Sequence, residues 1–191
     1  MELNGIRVLL CATGCVAIYK AVDLASKLTQ RGALVDVVMT EAAMRFVTPL
    51  MFSAVTRREV YTNPWEEDDH SPEHIALAER PDLIVVAPAT ANTLAKISHG
   101  IADNLLSSVL LATRKPVLLA PGMNTGMWES PATRDNMATL AKRGYRIVGP
   151  ESGYLACGDI GEGRMSEPAA IVKAIEQWVA EAFADVPKNR V

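Results

Sequence analysis

The feature that most constrains this chain is an alternation of short, almost wholly apolar runs with longer segments of helical period. The runs are 6–12 (IRVLLCA), 34–39 (LVDVVM), 82–88 (DLIVVAP), 116–121 (PVLLAP) and 146–149 (RIVG). Each has the length of a strand, and an unbroken apolar run marks a strand buried on both faces. Between the first two runs, residues 16–31 carry Ala17, Val22, Leu24, Ala25 and Leu28 at helical spacing, with Gly32 as a stop. Further helices are expected from 41 to about 55, capped by Thr40, and over 73–80, 92–113, 131–143 and 167–184. Residues 56–72 read as an irregular connection, and 151–165, rich in glycine, as a loop. Strands alternating with helices imply βαβ units with right-handed crossovers. The expected fold is therefore α/β, a three-layer, doubly wound and mostly parallel sheet.

Composition narrows the function classes. The 191 residues fit one domain, 1–191, with 49% hydrophobic and 21% charged residues, which excludes a disordered chain. Lys and Arg number 19 against 22 Asp and Glu, so no basic excess or run points to nucleic acid. No apolar run approaches the roughly 20 residues that span a bilayer, and no membrane role is expected. The N-terminus lacks the order of a secretory signal. Three cysteines make no disulfide framework, so a reduced, cytoplasmic protein is expected.

In a doubly wound sheet the ligand lies at the carboxyl ends of the strands, so the loops after the runs carry the information. The first is Thr13-Gly14-Cys15-Val16-Ala17, which opens a helix. Free N–H groups there suit a phosphate, although Gly14 serves a plain tight turn equally well. With one glycine in place of G-x-G-x-x-G, a dinucleotide is poorly supported. The loop 88–93 offers Thr90, Asn92 and Thr93 beside small residues; the alternative is an ordinary helix cap. The loop 121–128 sets Asn124 between Met123 and Met127, ahead of Trp128, either for binding or for packing. An Asn amide donates and accepts at once.

Residues 154–165 form a glycine-rich flap containing Cys157, a thiol that either delivers a proton or stays inert, as Cys11 does within its strand. His70 and His74 beside Asp68 and Asp69 match no established metal-ligand pattern, and no metal is expected. The acidic run 66–69 reads as a solvated face, and His99, mid-helix, as structural or solvated. His74 opens a helix ahead of the strand leading to 88–93 and is the better candidate base.

Taken in order, five stretches resemble the homo-oligomeric flavin-containing cysteine decarboxylases. They are 12–20 (ATGCVAIYK), His74-Ile75, 88–93 (PATANT), 121–128 (PGMNTGMW) and 156–165 (ACGDIGEGRM). The match runs from about residue 6 to 180. The resemblance implies a flavodoxin-like domain that binds FMN near a subunit interface, in a homotrimer or a dodecamer built from trimers. By motif, Gly14, Cys15 and Val16 would cradle the FMN phosphate, with Ser107 adding a contact. Thr40, Ala89, Thr90, Ala91 and Asn92 would line the ring, with Gly122 behind it. His74 would be the catalytic histidine and Cys157 a proton donor, and Asn124 and Tyr154 would bind the substrate.

The implied reaction in the coenzyme A branch turns 4′-phosphopantothenoylcysteine into 4′-phosphopantetheine. Oxidation at the thiol-bearing carbon creates an electron sink, CO2 leaves, and the resulting enethiolate is reduced. The presence of Cys157 favours this branch over the peptidyl-cysteine branch, which stops at the enethiol. A flavin-binding regulatory subunit that inhibits a phosphatase is a third reading; a flavin prenyltransferase is a fourth, which 121–128 and 156–165 oppose. Cys15 departs from the family's usual Ser and weakens one hydrogen bond to phosphate, because a thiol is a poor donor. Gly122 for Ala and Thr90 for Ser are small changes. Whether the chain stands alone or is part of a bifunctional protein is open.

Overall fold

The computed structural model describes residues 3–63 and 73–183. The elements are β1 Arg7–Ala12, α1 Ile18–Gln30, β2 Leu34–Met39, α2 Glu41–Met44, α3 Pro49–Thr56, β3 Val60–Tyr61 and α4 Glu73–Glu79. They continue with β4 Leu83–Ala89, α5 Ala91–His99, α6 Leu105–Ala112, β5 Val117–Pro121, α7 Thr125–Glu129 and α8 Pro131–Lys142. The last are β6 Arg146–Ile147, β7 Glu151–Tyr154, β8 Ile160–Arg164 and α9 Pro168–Phe183. Six strands form one sheet in the order β3-β2-β1-β4-β5-β6, and every adjacent pair is parallel.

Alternate residues of the apolar runs feed two separate cores, as the period of a strand requires. Val8, Leu10, Ala12, Val35, Val37, Val85 and Leu118 face α1 and α9, meeting Leu24, Leu28, Ile171 and Ile175. Leu9, Cys11, Val38, Ile84, Val86 and Leu119 face the other way, onto Leu94, Leu106, Leu110 and Leu140 of α5, α6 and α8. This two-sided burial explains why the strands are not amphipathic. Burial also pushes the Cys11 thiol far up, leaving it inert.

The doubly wound architecture agrees with the sequence expectation, and the departures from it are local. The helix expected over 92–113 is two helices. Gly100 takes a left-handed φ of 71° and ends α5, and Asn104 then starts α6 with a reciprocal Asn104–Ser107 capping box. The helix expected from 41 is also divided, with Pro49 opening its second half. The connection at 56–72 contains the edge strand β3; residues 64–72, with His70 and the acidic run, lie outside the described residues. The expected loop 151–165 is an antiparallel hairpin, β7 against β8, with Tyr154 opposite Ile160. A short helix, α7, occupies part of 121–128.

Leu10, fully buried at the centre of β1, is a direct test of the core. Leu10→Ala should cost about 2–5 kcal/mol, read from the urea midpoint at unchanged slope. A loss well below 1 kcal/mol would mean that this face of the sheet is not packed as described.

Candidate functional site

The strand order reverses between β1 and β4, which are hydrogen-bonded neighbours. Their carboxyl-terminal loops turn to opposite faces and leave a crevice. Thr13, 1% exposed, ties the two loops together: its Oγ1 donates to the Pro88 carbonyl at 2.6 Å and accepts from the Thr90 N–H at 3.3 Å. The crevice opens into a cleft of about 900 Å³. Helix N-termini converge on it. Thr40 caps α2 by accepting from the Ala43 N–H at 3.2 Å, and Thr90 caps α5 by accepting from the Thr93 N–H at 3.3 Å. The first turn of α1 has no side-chain cap.

Most of the residues singled out in the sequence meet here. Gly14, Cys15, Val16, Thr40, Thr90, Ala91, Asn92, Gly122, Asn124, Tyr154 and Cys157 all line the cleft. Three do not. Ala89 is fully buried beneath the lining at the end of β4. Ser107, 2% exposed, spends its hydroxyl inside the α6 capping box, while its neighbours Asp103 and Asn104 reach the cleft. His74 lies half-buried on α4 and is not part of the lining. His99 ends α5, its ring next to the Ser98 hydroxyl and the Ala95 carbonyl.

Gly14 is demanded by close approach. A Cβ there would come within 2.6 Å of the Ala42 Cβ and 2.8 Å of the Ala42 carbonyl carbon. Burial pushes the Cys15 thiol up, while the backbone N–H groups of Ala17 and Val16 pull it partly back. A charged residue that sequence reading missed is Lys20, 4% exposed and on the cleft lining. Its Nζ donates to the Met165 carbonyl at 2.8 Å and to Glu167 Oε1 at 3.0 Å. That hydrogen bond holds the Glu167 carboxyl below the usual glutamate range. The available signal was spacing: Lys20 stands four and eight residues before Leu24 and Leu28, on the buried stripe of α1. Lys96 and Asp103, paired at 2.7 Å, form another polar edge; the Lys96 hydrogen bond holds the Asp103 carboxyl low.

The β7–β8 hairpin closes against 123–128. The Met123 N–H donates to the Gly163 carbonyl at 2.8 Å, and Trp128 Nε1 donates to Glu162 Oε2 at 3.1 Å. Asn124 Oδ1 caps α7 by accepting from the Gly126 N–H at 2.8 Å, which aims Nδ2 at Cys157 Sγ, 3.3 Å away. Two residues separated by 33 positions are thereby brought together at the cleft.

Gly163 is the hinge point of this contact, with φ 128° and a would-be Cβ 2.4 Å from the Met123 carbonyl oxygen. Gly163→Ala should release the hairpin and speed amide hydrogen exchange over 155–164, with the central sheet unchanged. Unchanged exchange in that segment would contradict the docking.

Comparisons with known proteins agree with the fold. A family model described as Flavoprotein matches residues 1–180. The coenzyme A biosynthesis bifunctional protein CoaBC of Bacillus subtilis is 51% identical over 180 residues, covering 94% of this chain and 44% of that protein. The chain thus spans less than half the length of that relative. A probable phosphopantothenoylcysteine decarboxylase of Streptococcus mutans is 45% identical, with 90% of this chain and 97% of that one covered. Among solved structures, a cysteine-to-serine mutant of PPC decarboxylase complexed with pantothenoylaminoethenethiol superposes with a TM-score of 0.83. It is 34% identical, over 92% of this chain and 99% of its own. The FMN binding protein AtHal3 gives 0.81 at 34% identity, over 93% and 98%. The chain belongs to the Flavoprotein family.

Proposed function

We propose that the cleft binds FMN and that the chain decarboxylates 4′-phosphopantothenoylcysteine to 4′-phosphopantetheine. The observation that carries this reading is the meeting of Asn124 and Cys157 at a cleft fit for a flat phosphorylated cofactor. The fit rests on three features. The start of α1 has no side-chain cap, so its positive dipole end faces the cleft unshielded, and the bare Gly14 keeps side chains out of the approach. Gly122 leaves a smooth wall between Pro88, Met165 and Cys15. The volume falls within the roughly 300–1,000 Å³ of cofactor and ligand sites.

The backbone of Gly14, Cys15 and Val16 would hold the phosphate, and Thr40, Thr90, Ala91 and Asn92 the ring, with Gly122 behind it. When bound, the flavin supplies a two-electron acceptor that makes loss of CO2 from an otherwise inert carboxylate feasible. The chain's own groups do the rest. Asn124 binds the carboxylate or amide of the substrate, and Tyr154 of the flap, on the same cleft lining, adds a contact. Cys157 supplies a proton to the decarboxylated carbon skeleton.

His74 acts as the base or orients the carboxylate. Because it lies off its own cleft, we assign it to the cleft of a neighbouring copy in a homotrimer, or a dodecamer built from trimers. Ile75 beside it, and Phe46, Leu50 and Met51 after the α2 wall of the cleft, are exposed apolar side chains suited to such an assembly. No described helix is long and apolar enough to cross a membrane. The names of the relatives, all of coenzyme A biosynthesis or phosphopantothenoylcysteine decarboxylation, support a metabolic role in the cytoplasm.

The test is the product mass from phosphopantothenoylcysteine. Wild-type protein should yield the saturated, decarboxylated thiol, and Cys157→Ser should stop at a species two hydrogens lighter. Absence of CO2 loss would contradict the reading. Neither His74→Asn nor Cys157→Ser alone should yield the saturated thiol, but the two co-expressed should, because mixed assemblies contain sites with both residues intact. No recovery would mean that His74 does not act across an interface.

A further inference from the structure

The decarboxylase reading leaves the position of Cys157 unexplained, for the tip that carries it is open. Ala156, Cys157, Gly158 and Asp159 are all exposed. The turn is closed by the main chain, with the Leu155 N–H donating to the Asp159 carbonyl at 2.8 Å and the Gly158 N–H to the Leu155 carbonyl at 3.0 Å. These bonds shape the backbone and leave the thiol free to rotate. Two side chains remove that freedom. Asn124 Nδ2 donates to Sγ at 3.3 Å, and Sγ donates to Asp159 Oδ2 at 3.4 Å. Asn124 cannot turn away without uncapping α7. Asp159 has no ion-pair partner among the described residues, so its carboxylate is available to the thiol.

We propose that Asp159 is a positioning residue for the reducing half of the reaction. It holds the Cys157 thiol, with its hydrogen in place, against Asn124 at the substrate end of the cleft. The proposal rests on the decarboxylase reading. In that half-reaction the flavin, when bound, would return to the enethiol C=C bond, as a hydride, the two electrons it would take up in the oxidative half. The adjoining carbon takes the proton of Cys157, and the resulting thiolate, exposed at the tip, is reprotonated by water. Asp159 exchanges no electrons and keeps no proton. Its effect is on where Sγ sits when the enethiol forms, and a small misplacement of a reacting group is costly.

The role predicts a split between the two halves. Asp159→Ala should release CO2 in the first turnover at the wild-type rate and bind substrate with unchanged KM. Formation of the saturated product should fall roughly tenfold to a hundredfold, with the enethiol detectable by mass. Asp159→Asn, which retains an acceptor oxygen, should fall between the two. Amide exchange over 155–164 should be unaltered in both variants, because the turn is held by its backbone.

Wild-type reduction in Asp159→Ala, or a loss that appears as raised KM with faster exchange across the flap, would overturn the proposal. Cys157→Ser separates it from its premise. If that variant accumulates the enethiol and Asp159→Ala does not, only the positioning role falls. If wild type and both variants leave the substrate untouched, the decarboxylase reading falls and takes this role with it.

Discussion

The reversal of strand order between β1 and β4 is the constraint on which the rest of the molecule depends. A parallel sheet must send its connections over one face or the other, and at this pair the connections part. The gap between them has no side chain of its own to fill it. Thr13 bridges its floor through one hydroxyl that both donates to Pro88 and accepts from Thr90. The cleft lining is arranged around that floor: the α1 terminus on one side, the α5 cap on the other, and the 122–124 segment along the wall.

The two buried cores make this arrangement rigid. Since alternate residues of each central strand are gripped from opposite faces, a slide by one residue would drive each set into the opposite core, against side chains packed for the other. The flap is a different kind of element. Its hairpin has no core and is held by hydrogen bonds to 123–128 and by the close approach at Gly163. Such a segment, held by few contacts, belongs to the low-stability end of the structure.

The layered fold was legible because apolar runs of strand length, separated by helical period, admit few other solutions. The carboxyl-end loops were legible for the same reason. What the sequence hid depends on tertiary contact. Residues 92–113 keep an apolar helical period across the 100–104 break, so the two helices look continuous until Gly100 and Asn104 are seen as a stop and a cap. The flap glycines suggest a loop, because the hairpin they form is docked by a contact with Met123 that lies some 40 residues away. Ser107, a phosphate contact by motif, has its hydroxyl inside the α6 capping box, an arrangement that the motif does not carry. His74 was chosen by motif and neighbourhood, and its distance from the cleft of its own chain is a property that no reading of one chain's pattern could supply. Lys20 was passed over because a lysine in a helix is usually at the surface.

The central claim is that the crevice between β1 and β4 is a cofactor cradle open to a flat phosphorylated ring. The most direct measurement is a titration of apoprotein with FMN, followed by flavin fluorescence, for wild type and for Gly14→Ala. The account predicts saturation at about one flavin per chain for wild type. In the variant, the added Cβ meets Ala42 and displaces the loop, and binding should be lost with the far-ultraviolet circular dichroism unchanged. A folded wild-type protein that takes up no FMN, or a Gly14→Ala variant that binds it equally well, would contradict the account.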